Sequence, residues 1–215
     1  MPSTPQSPTL IISEIFHSIQ GETTLAGWPC FFVRLSGCNL NCDWCDTPQA
    51  HSPGQTLTLD EIERRLLTFP SCQLVAITGG EPMMQAGVVA LAESLCGRNY
   101  RLQLFTNGRY DLSRLPKGVS RIVDIKPPSS GECVDELPAL GKLNPRDEVK
   151  VCIANREDYD WALETVLKHQ LVELLPVSFS PVWGTIDASQ LAKWILDDGL
   201  PIRLNVQLHK LIWLK

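Results

Sequence analysis

Three of the eight cysteines fall within eight residues, and their order, Cys38, Cys42 and Cys45, gives the spacing C-x3-C-x2-C. Three thiolates on one short loop can hold three corners of a cubane [4Fe-4S] cluster. Such a cluster takes four ligands, so three cysteines leave one iron open to a ligand that is not protein. The spacing therefore predicts an iron–sulfur cluster with one open iron.

Two other kinds of metal site fit these cysteines less well. Structural zinc would need a fourth ligand such as His51, but zinc sites usually take two pairs of ligands from separate loops, and the sequence shows no second pair. A ferredoxin-like electron carrier would normally supply a fourth cysteine. A non-catalytic zinc or iron–sulfur module nevertheless stays an alternative. The other five cysteines are scattered through apolar or loop segments, and we interpret them as small buried hydrophobes.

Along the rest of the chain, which must position this loop, apolar runs alternate with segments of helical periodicity. This alternation predicts βα units and a mostly parallel sheet. Strands are predicted at 10–16, 30–35, 74–77, 101–105, 121–125, 148–153, 172–179 and 202–206. Thr58 and Glu61 form a capping box before a predicted helix, and Asp187 is expected to cap another. No strong helix fits between Pro127 and Arg146. Polar, glycine-rich motifs follow the strands, and this edge is where parallel sheets and barrels build their sites.

Length and composition predict a single globular domain over residues 1–215, with 1–9 as a disordered lead-in rich in Pro and Ser. Nineteen basic and 24 acidic side chains give a formal net charge of -5, which excludes a broad basic face for nucleic acid. No apolar run approaches the ~20 residues of a membrane span, and the first residues lack the features of an export signal. We therefore expect a cytoplasmic protein without a nucleic-acid or membrane partner.

The triplet, with the aromatic Trp44 before its last cysteine, resembles the radical S-adenosylmethionine (SAM) enzymes. The segment Gly79-Gly80-Glu81-Pro82, one strand and helix later, fits the same superfamily. The resemblance implies that the amino and carboxylate groups of SAM chelate the open iron. It also implies that one electron from the reduced cluster cleaves the sulfonium, which yields a 5'-deoxyadenosyl radical that abstracts hydrogen from an unactivated C–H bond.

Four further segments, SIQGE, CDT, DIKPPSSGE and QLHK, resemble the 7-carboxy-7-deazaguanine synthase family, from about Glu14 to the C-terminus. The resemblance implies a lyase of the queuosine pathway that converts 6-carboxy-5,6,7,8-tetrahydropterin to 7-carboxy-7-deazaguanine with loss of ammonia, and that depends on Mg2+. It implies an α/β fold, a shortened partial parallel barrel of the radical SAM type, (β6/α3)-like. It further implies a homodimer and an external flavodoxin- or ferredoxin-like electron donor. Another small radical SAM enzyme, such as a glycyl-radical activase, is the alternative.

A substrate carboxylate calls for a cation, and Arg34 can form a two-point contact with it. The resemblance assigns Arg34 this role and assigns Thr47 to Mg2+, for which a hydroxyl is a plausible hard ligand. The other substrate-binding positions that it implies are Ile19, Gln20, Gly21, Glu22, Asp46, Thr78, Gln207, His209 and Lys215, the last through the terminal carboxylate. The SAM-binding positions that it implies are Gly79, Gly80, Glu81, Asp124, Lys126 and Ser180.

One position departs from the family pattern. Where relatives commonly show Glu-Thr-Asn-Gly, this chain has Phe105-Thr106-Asn107-Gly108. A phenyl ring can neither donate nor accept a conventional hydrogen bond, so no role that rests on that glutamate transfers to Phe105.

Overall fold

The computed structural model describes residues 8–213. The strands are β1 (Thr9–Ile19), β2 (Pro29–Leu35), β3 (Gln55–Thr58), β4 (Leu74–Gly79), β5 (Arg101–Thr106), β6 (Val119–Ile125), β7 (Glu148–Ile153), β8 (Val177–Pro181) and β9 (Ile202–Leu204). The helices are α1 (Leu59–Leu66), α2 (Gly87–Gly97), α3 (Arg156–Lys168), α4 (Leu171–Leu174), α5 (Ala188–Asp198) and α6 (Leu208–Leu211).

The strands form one sheet in the order β3-β1-β2-β4-β5-β6-β7-β8-β9. All neighbours from β2 to β9 pair in parallel, whereas β1 runs antiparallel to both β2 and β3. Within the described chain, no α-helix lies between β5 and β6 or between β6 and β7. The predicted α/β class with a shortened partial parallel barrel is therefore confirmed.

Local sequence signals account for the first helix. The Thr58 amide donates to Glu61 Oε2 at 2.8 Å, and the Glu61 amide donates back to Thr58 Oγ1 at 3.3 Å, which is the predicted capping box. Ile62 and Leu66 are fully buried on the apolar face of α1. Asp187 does precede α5, but its side chain makes no capping hydrogen bond.

The structure corrects two predicted boundaries. The predicted strand 172–179 is wrong in its first half, which forms the short helix α4, and β8 begins only at Val177. Pro176 has no amide hydrogen for the sheet, so the strand starts after it. The predicted lead-in is too long, because Thr9 already pairs with Thr58; residues 1–7 lie outside the described chain. The sequence patterns also missed β3 and α6, each only four residues long.

Side chains at alternate positions of the parallel strands line one cavity, as the two-residue period of a strand dictates. Phe32 and Arg34 extend from β2, and Lys150 and Cys152 extend from β7. The opposite faces of these strands pack into a large apolar core against the helices. None of the helices within residues 8–213 has the length and apolar character that crossing a membrane would require.

A buried ion pair fixes the start of β6, the strand that carries Asp124 into the cavity. Asp147 is fully buried, and its Oδ1 accepts from the Arg121 amide at 2.9 Å and from Arg121 Nε at 3.0 Å. The Asn144 amide donates to Oδ2 at 2.8 Å. One carboxylate thus joins β6 to the turn before β7.

We expect Asp147→Ala to lower the free energy of unfolding by about 3–5 kcal/mol, because it leaves the Arg121 charge and two amides without their acceptor. Urea denaturation of purified protein measures the change. The matched control is Asp111→Ala, which removes an exposed carboxylate paired with Lys142 and should change stability little. Equal effects of the two substitutions would contradict the assigned role of Asp147.

Candidate functional site

A cavity of about 670 Å³ opens at the carboxyl ends of the parallel strands. It gathers most of the residues that the sequence singled out, although these are spread over nearly the whole chain. The predicted residues that line it are Ile19, Gln20, Gly21, Glu22, Arg34, Cys38, Cys42, Cys45, Asp46, Thr47, Thr78, Gly79, Gly80, Asp124, Lys126, Gln207 and His209.

Two predicted cofactor-binding residues do not line the cavity. Glu81 is fully buried, where it accepts from the Asn107 amide at 2.7 Å and from Thr106 Oγ1 at 3.0 Å, so it ties two strand ends together. Burial raises the pKa of this carboxyl group. Ser180 is also fully buried and accepts from Asn205 at 2.9 Å. Both side chains thus lie outside the cavity lining and make hydrogen bonds within the fold. Lys215 lies outside the described residues.

The cysteine loop is held from outside by the turn at 128–132. The Asn41 amide donates to Glu132 Oε1 at 2.7 Å, and the Trp44 indole nitrogen donates to Ser129 Oγ at 2.9 Å. The Asp43 amide donates to the Ser130 carbonyl at 3.0 Å. Sequence patterns did not predict Ser129 and Glu132 as anchors of the loop, although both lie in the DIKPPSSGE segment.

The donor set fits an iron–sulfur cluster. All three cysteines are free thiols, and soft thiolates are the ligands that such clusters take. Burial raises the pKa of Cys38 and Cys42, so a bound metal would have to displace a proton from each. Within residues 8–213, no three His, Cys, Asp or Glu side chains already form a closed ion cage. His51, the candidate fourth zinc ligand, also lines the cavity.

Arg34 is fixed before any ligand arrives. Its Nε donates to Glu14 Oε1 at 2.8 Å, and its Nη1 donates to Thr47 Oγ1 at 3.3 Å. Its guanidinium carbon lies 5.7 Å from the centre of the Phe16 ring, within the range of a cation–π contact. This positive group faces the cavity and suits a carboxylate. Sequence reasoning missed Glu14 as its partner.

Next to Arg34, Thr47 and Asp46 supply hard oxygen atoms. Thr47 Oγ1 donates to Asp46 Oδ1 at 3.0 Å, and Gln207 Nε2 donates to Asp46 Oδ2 at 3.0 Å. Desolvation alone would raise the pKa of Asp46, but the charges of Lys150 and Lys210 and the bond from Gln207 hold it well below its ordinary range. Asp46 is therefore a carboxylate, and with the Thr47 hydroxyl it fits the oxygen chemistry of Mg2+.

The SIQGE loop crosses the cavity, and its side chains are bound by residues from distant strands. Gln20 Nε2 donates to Gln103 Oε1 at 2.6 Å, and Gln103 Nε2 donates to Thr23 Oγ1 at 2.9 Å. Glu22 accepts from Lys150 at 2.7 Å and from Gln207 at 2.8 Å. Backbone groups of Gln20, Gly21 and Glu22 are hydrogen-bonded within the protein as well, so the loop is held firmly and offers a ligand chiefly the remaining lone pairs of its acceptors.

Gly21 has to be glycine because a Cβ at this position would overlap the imidazole of His209. Burial lowers the pKa of His209, with Lys210 acting in the same direction and Glu22 opposing it. The imidazole is therefore neutral at pH 7, and one ring nitrogen can donate while the other accepts. Gly21 and His209 thus form one edge of the cavity from the two ends of the chain.

Opposite charges alternate along the cavity wall beside the cysteines. Lys126 Nζ lies 3.0 Å from Asp124 Oδ2 and 5.4 Å from the centre of the Trp44 ring. Burial opposes the charge of Lys150, but Cys152, Glu22 and Asp124 together raise its pKa well above its ordinary value. Asp124 Oδ1 is buried without a hydrogen-bond partner among the described residues. An acceptor without a donor fits a wall that a ligand such as SAM completes.

Sequence reasoning also missed two polar residues of the barrel interior, Gln103 and Lys150. Each lies within an apolar strand, in RLQLF and EVKVC respectively. The sequence does contain a signal for them, namely a polar residue in a strand that is predicted to be buried. A buried polar side chain needs a hydrogen-bonding partner. Their partners lie 83 and 128 residues away along the chain, which no local pattern reveals.

Comparisons with known proteins agree with this geometry. Residues 32–125 match the family model of the radical SAM superfamily. The chain is 43% identical over 208 residues to the 7-carboxy-7-deazaguanine synthase of Chlorobaculum tepidum, covering 95% of this chain and 94% of that protein. It is 40% identical over 217 residues to the protein of the same name from Koribacter versatilis, covering 94% and 96%.

The solved structures add a likeness of fold. The crystal structure of QueE from Escherichia coli superposes with a TM-score of 0.77 at 22% identity, covering 94% of this chain and 95% of that chain. With the sequence identities above, the three-cysteine loop and the cavity that it faces, this places the chain in the 7-carboxy-7-deazaguanine synthase family of the radical SAM superfamily.

Proposed function

We propose that this chain converts 6-carboxy-5,6,7,8-tetrahydropterin to 7-carboxy-7-deazaguanine with loss of ammonia, as a lyase of the queuosine pathway. The observation that carries the proposal is one cavity in which a guanidinium, hard oxygen atoms and three thiols meet. Arg34, Thr47 and Cys42 represent these three groups, and all line the same space. A carboxylated heterocycle and a cluster-bound cofactor both find suitable partners there.

The proposed roles on the cofactor side follow from the lining residues. Cys38, Cys42 and Cys45 would hold the [4Fe-4S] cluster, which together with bound SAM supplies the one-electron cleavage that begins the reaction. Gly79 and Gly80 line the cavity, and both have to be glycine because a Cβ would overlap the backbone of Leu35 or of Gly37, which leads into the cysteine loop. The lysine and carboxylate of the wall, Lys126 and Asp124, would bind the polar groups of SAM.

The proposed roles on the substrate side divide by chemistry. Arg34 would bind the pterin carboxylate, and Mg2+ at Thr47 would bridge to it, with Asp46 supporting the ion or its water ligands. Thr78 pairs in register with Arg34 on the next strand and would contact the same end. The loop from Ile19 to Glu22, with Gln207 and His209, would bind the guanine-like edge of donors and acceptors.

We further propose that the protein acts as a homodimer in the cytoplasm and takes electrons from a flavodoxin- or ferredoxin-like donor. The family membership supports these proposals. Neither a nucleic acid nor a membrane surface is proposed as a partner.

The direct test is an anaerobic assay of reconstituted protein with carboxy-tetrahydropterin, SAM, a chemical reductant and Mg2+. We expect 7-carboxy-7-deazaguanine and ammonia in equal amounts. Formation of 5'-deoxyadenosine while the pterin stays unchanged would contradict the proposed substrate and would favour another radical SAM activity, such as the activation of a glycyl-radical enzyme. A protein that binds only zinc would favour the non-catalytic module.

Cys42→Ala should abolish turnover and leave the fold intact, because it removes a proposed cluster ligand from an exposed loop and no core side chain. Iron analysis, circular dichroism and the anaerobic assay together check this expectation. Cys96→Ala, which removes a thiol outside the cavity, is the control and should keep full iron content and activity. Wild-type turnover by Cys42→Ala would refute the assignment of the cluster.

Arg34→Ala should weaken pterin binding by about 10–100-fold, since a charge-assisted hydrogen bond is worth about 1.5–3 kcal/mol. SAM affinity should change little. Arg34→Lys keeps the charge but loses the planar fork, so its pterin affinity should lie between those of Arg34→Ala and the wild type. Anaerobic calorimetry measures both affinities, and equal losses for pterin and SAM would contradict a carboxylate-binding role for Arg34.

Thr47→Ala should raise the Mg2+ concentration needed for half-maximal activity by at least about tenfold, in line with the cost of disturbing metal-site partners. Activity of the wild type should fall when Mg2+ is removed from the buffer and should return when it is added. Thr56→Ala, an exposed threonine on β3, is the matched control. An unchanged Mg2+ dependence of Thr47→Ala would remove this residue from the proposed ion site.

A further inference from the structure

We propose that Phe105 forms an apolar platform, bordered by Phe32, that packs against the planar pyrimidine half of the substrate and makes this site selective for a flat heterocycle. The inference deepens the proposed function and rests on it. Phe105 lies two residues after Gln103, the anchor of the SIQGE loop, and one residue before the buried Thr106 at the end of β5.

Phe105 is a cavity residue that is only partly buried. It lines the main cavity together with Phe16 and Phe32. One side of Phe32 and of Phe105 packs on a small buried cluster composed of Leu25, Cys30, Leu74 and Ala76. The apolar cluster therefore supports both rings, and the rest of the Phe105 ring borders the cavity. A supported aromatic face next to open volume is typical of a stacking site.

The sheet register places Phe105 beside the proposed carboxylate site. Leu104 pairs with Ile77, so Phe105 follows next to Thr78, and Thr78 pairs with Arg34 of β2. Phe32 lies two residues before Arg34 on the same face of β2, a step of about 6.6 Å along the strand. Phe32 and Phe105 therefore lie on either side of the part of the cavity that is next to the Arg34 guanidinium.

The SIQGE loop, which would bind the polar edge of the pterin, lies further into the cavity than Arg34. Gln103 lies one two-residue step before Phe105 on β5, and its side chain holds Gln20. A bicyclic ligand with its carboxylate at Arg34 and its polar edge at the Gln20 loop would therefore pack against Phe105, with Phe32 at its border. The pyrimidine ring of such a ligand is planar, so its face can stack on a phenyl ring.

The second aromatic contact stiffens the platform. Phe16 stacks on Phe32 with ring centres 4.9 Å apart and planes 10° from parallel, and Arg34 lies over the Phe16 ring. This stack covers one face of Phe32, so Phe105 is the ring that remains for the substrate. A phenyl face has no hydrogen-bonding group, so Phe105 would select ligands by their shape and planarity. The SIQGE loop would select them by their hydrogen-bond donors and acceptors.

The test compares the affinity of carboxy-tetrahydropterin for Phe105→Leu, Phe105→Tyr and the wild type by anaerobic calorimetry. Phe105→Leu keeps an apolar side chain but removes the aromatic face, and we expect pterin affinity to fall about 5–10-fold with SAM affinity unchanged. Phe105→Tyr keeps the ring and should stay within about twofold of the wild type. Phe69→Leu makes the same change on an exposed ring outside the cavity and should have no effect.

Thermal unfolding of each variant separates a loss of stacking from a loss of fold, and the tyrosine variant shows whether the ring itself restores binding. A pterin affinity of Phe105→Leu within twofold of the wild type would overturn the platform, as would equal losses for pterin and SAM. If the wild type turns the pterin over but Phe105→Leu binds it normally, the platform alone fails. If the wild type does not bind the pterin, the proposed function fails with it.

Discussion

A cubane cluster has four corners, and the loop from Cys38 to Cys45 offers three thiols. This mismatch is the constraint on which the proposed chemistry depends, because it reserves one coordination position for a small molecule. The three cysteines must be held in place by contacts that their loop makes with the rest of the protein. Backbone and indole donors of the loop bind to Ser129, Ser130 and Glu132, so its shape is set by the turn after β6. Within the loop, Cys38 Sγ also accepts a hydrogen bond from the Leu40 amide at 3.5 Å.

Positively and negatively charged side chains alternate along the wall of the cavity. Burying an isolated ion costs several kcal/mol, so each charged group in the interior needs an opposite neighbour. Lys150 satisfies this requirement between Glu22 and Asp124, and Asp124 also pairs with Lys126. These contacts join a loop near the start of the chain to strands near its middle. A network of this kind fixes polar groups in advance, so little reorganisation is required when a polar ligand binds.

Sequence predicted the framework well because its signals are local. Apolar runs of four to six residues marked most of the parallel strands, and the Thr58 capping box marked α1. It failed where a single residue overrides a pattern, as Pro176 does at the start of β8. Half of the residues that line the cavity could be named because motif residues follow strand ends, and parallel strands end at one edge.

The unpredicted part of the site consists of tertiary partners. Nothing near Gln103 in the sequence indicates that it holds Gln20, and nothing near Glu14 indicates that it orients Arg34. The burial of Glu81 behind the cavity wall also depends on the position of β5, which follows it by some twenty residues. Such pairings arise only when the sheet has formed, so they are properties of the fold and not of any segment.

The open iron is tested most directly by pulsed electron paramagnetic resonance on anaerobically reconstituted, reduced protein with SAM that carries a nitrogen-15 label in its amino group. The coordination described here predicts a hyperfine coupling between that nitrogen and the cluster, which disappears when SAM is omitted. A cluster signal that is unchanged by SAM and shows no coupling to the labelled nitrogen would contradict it.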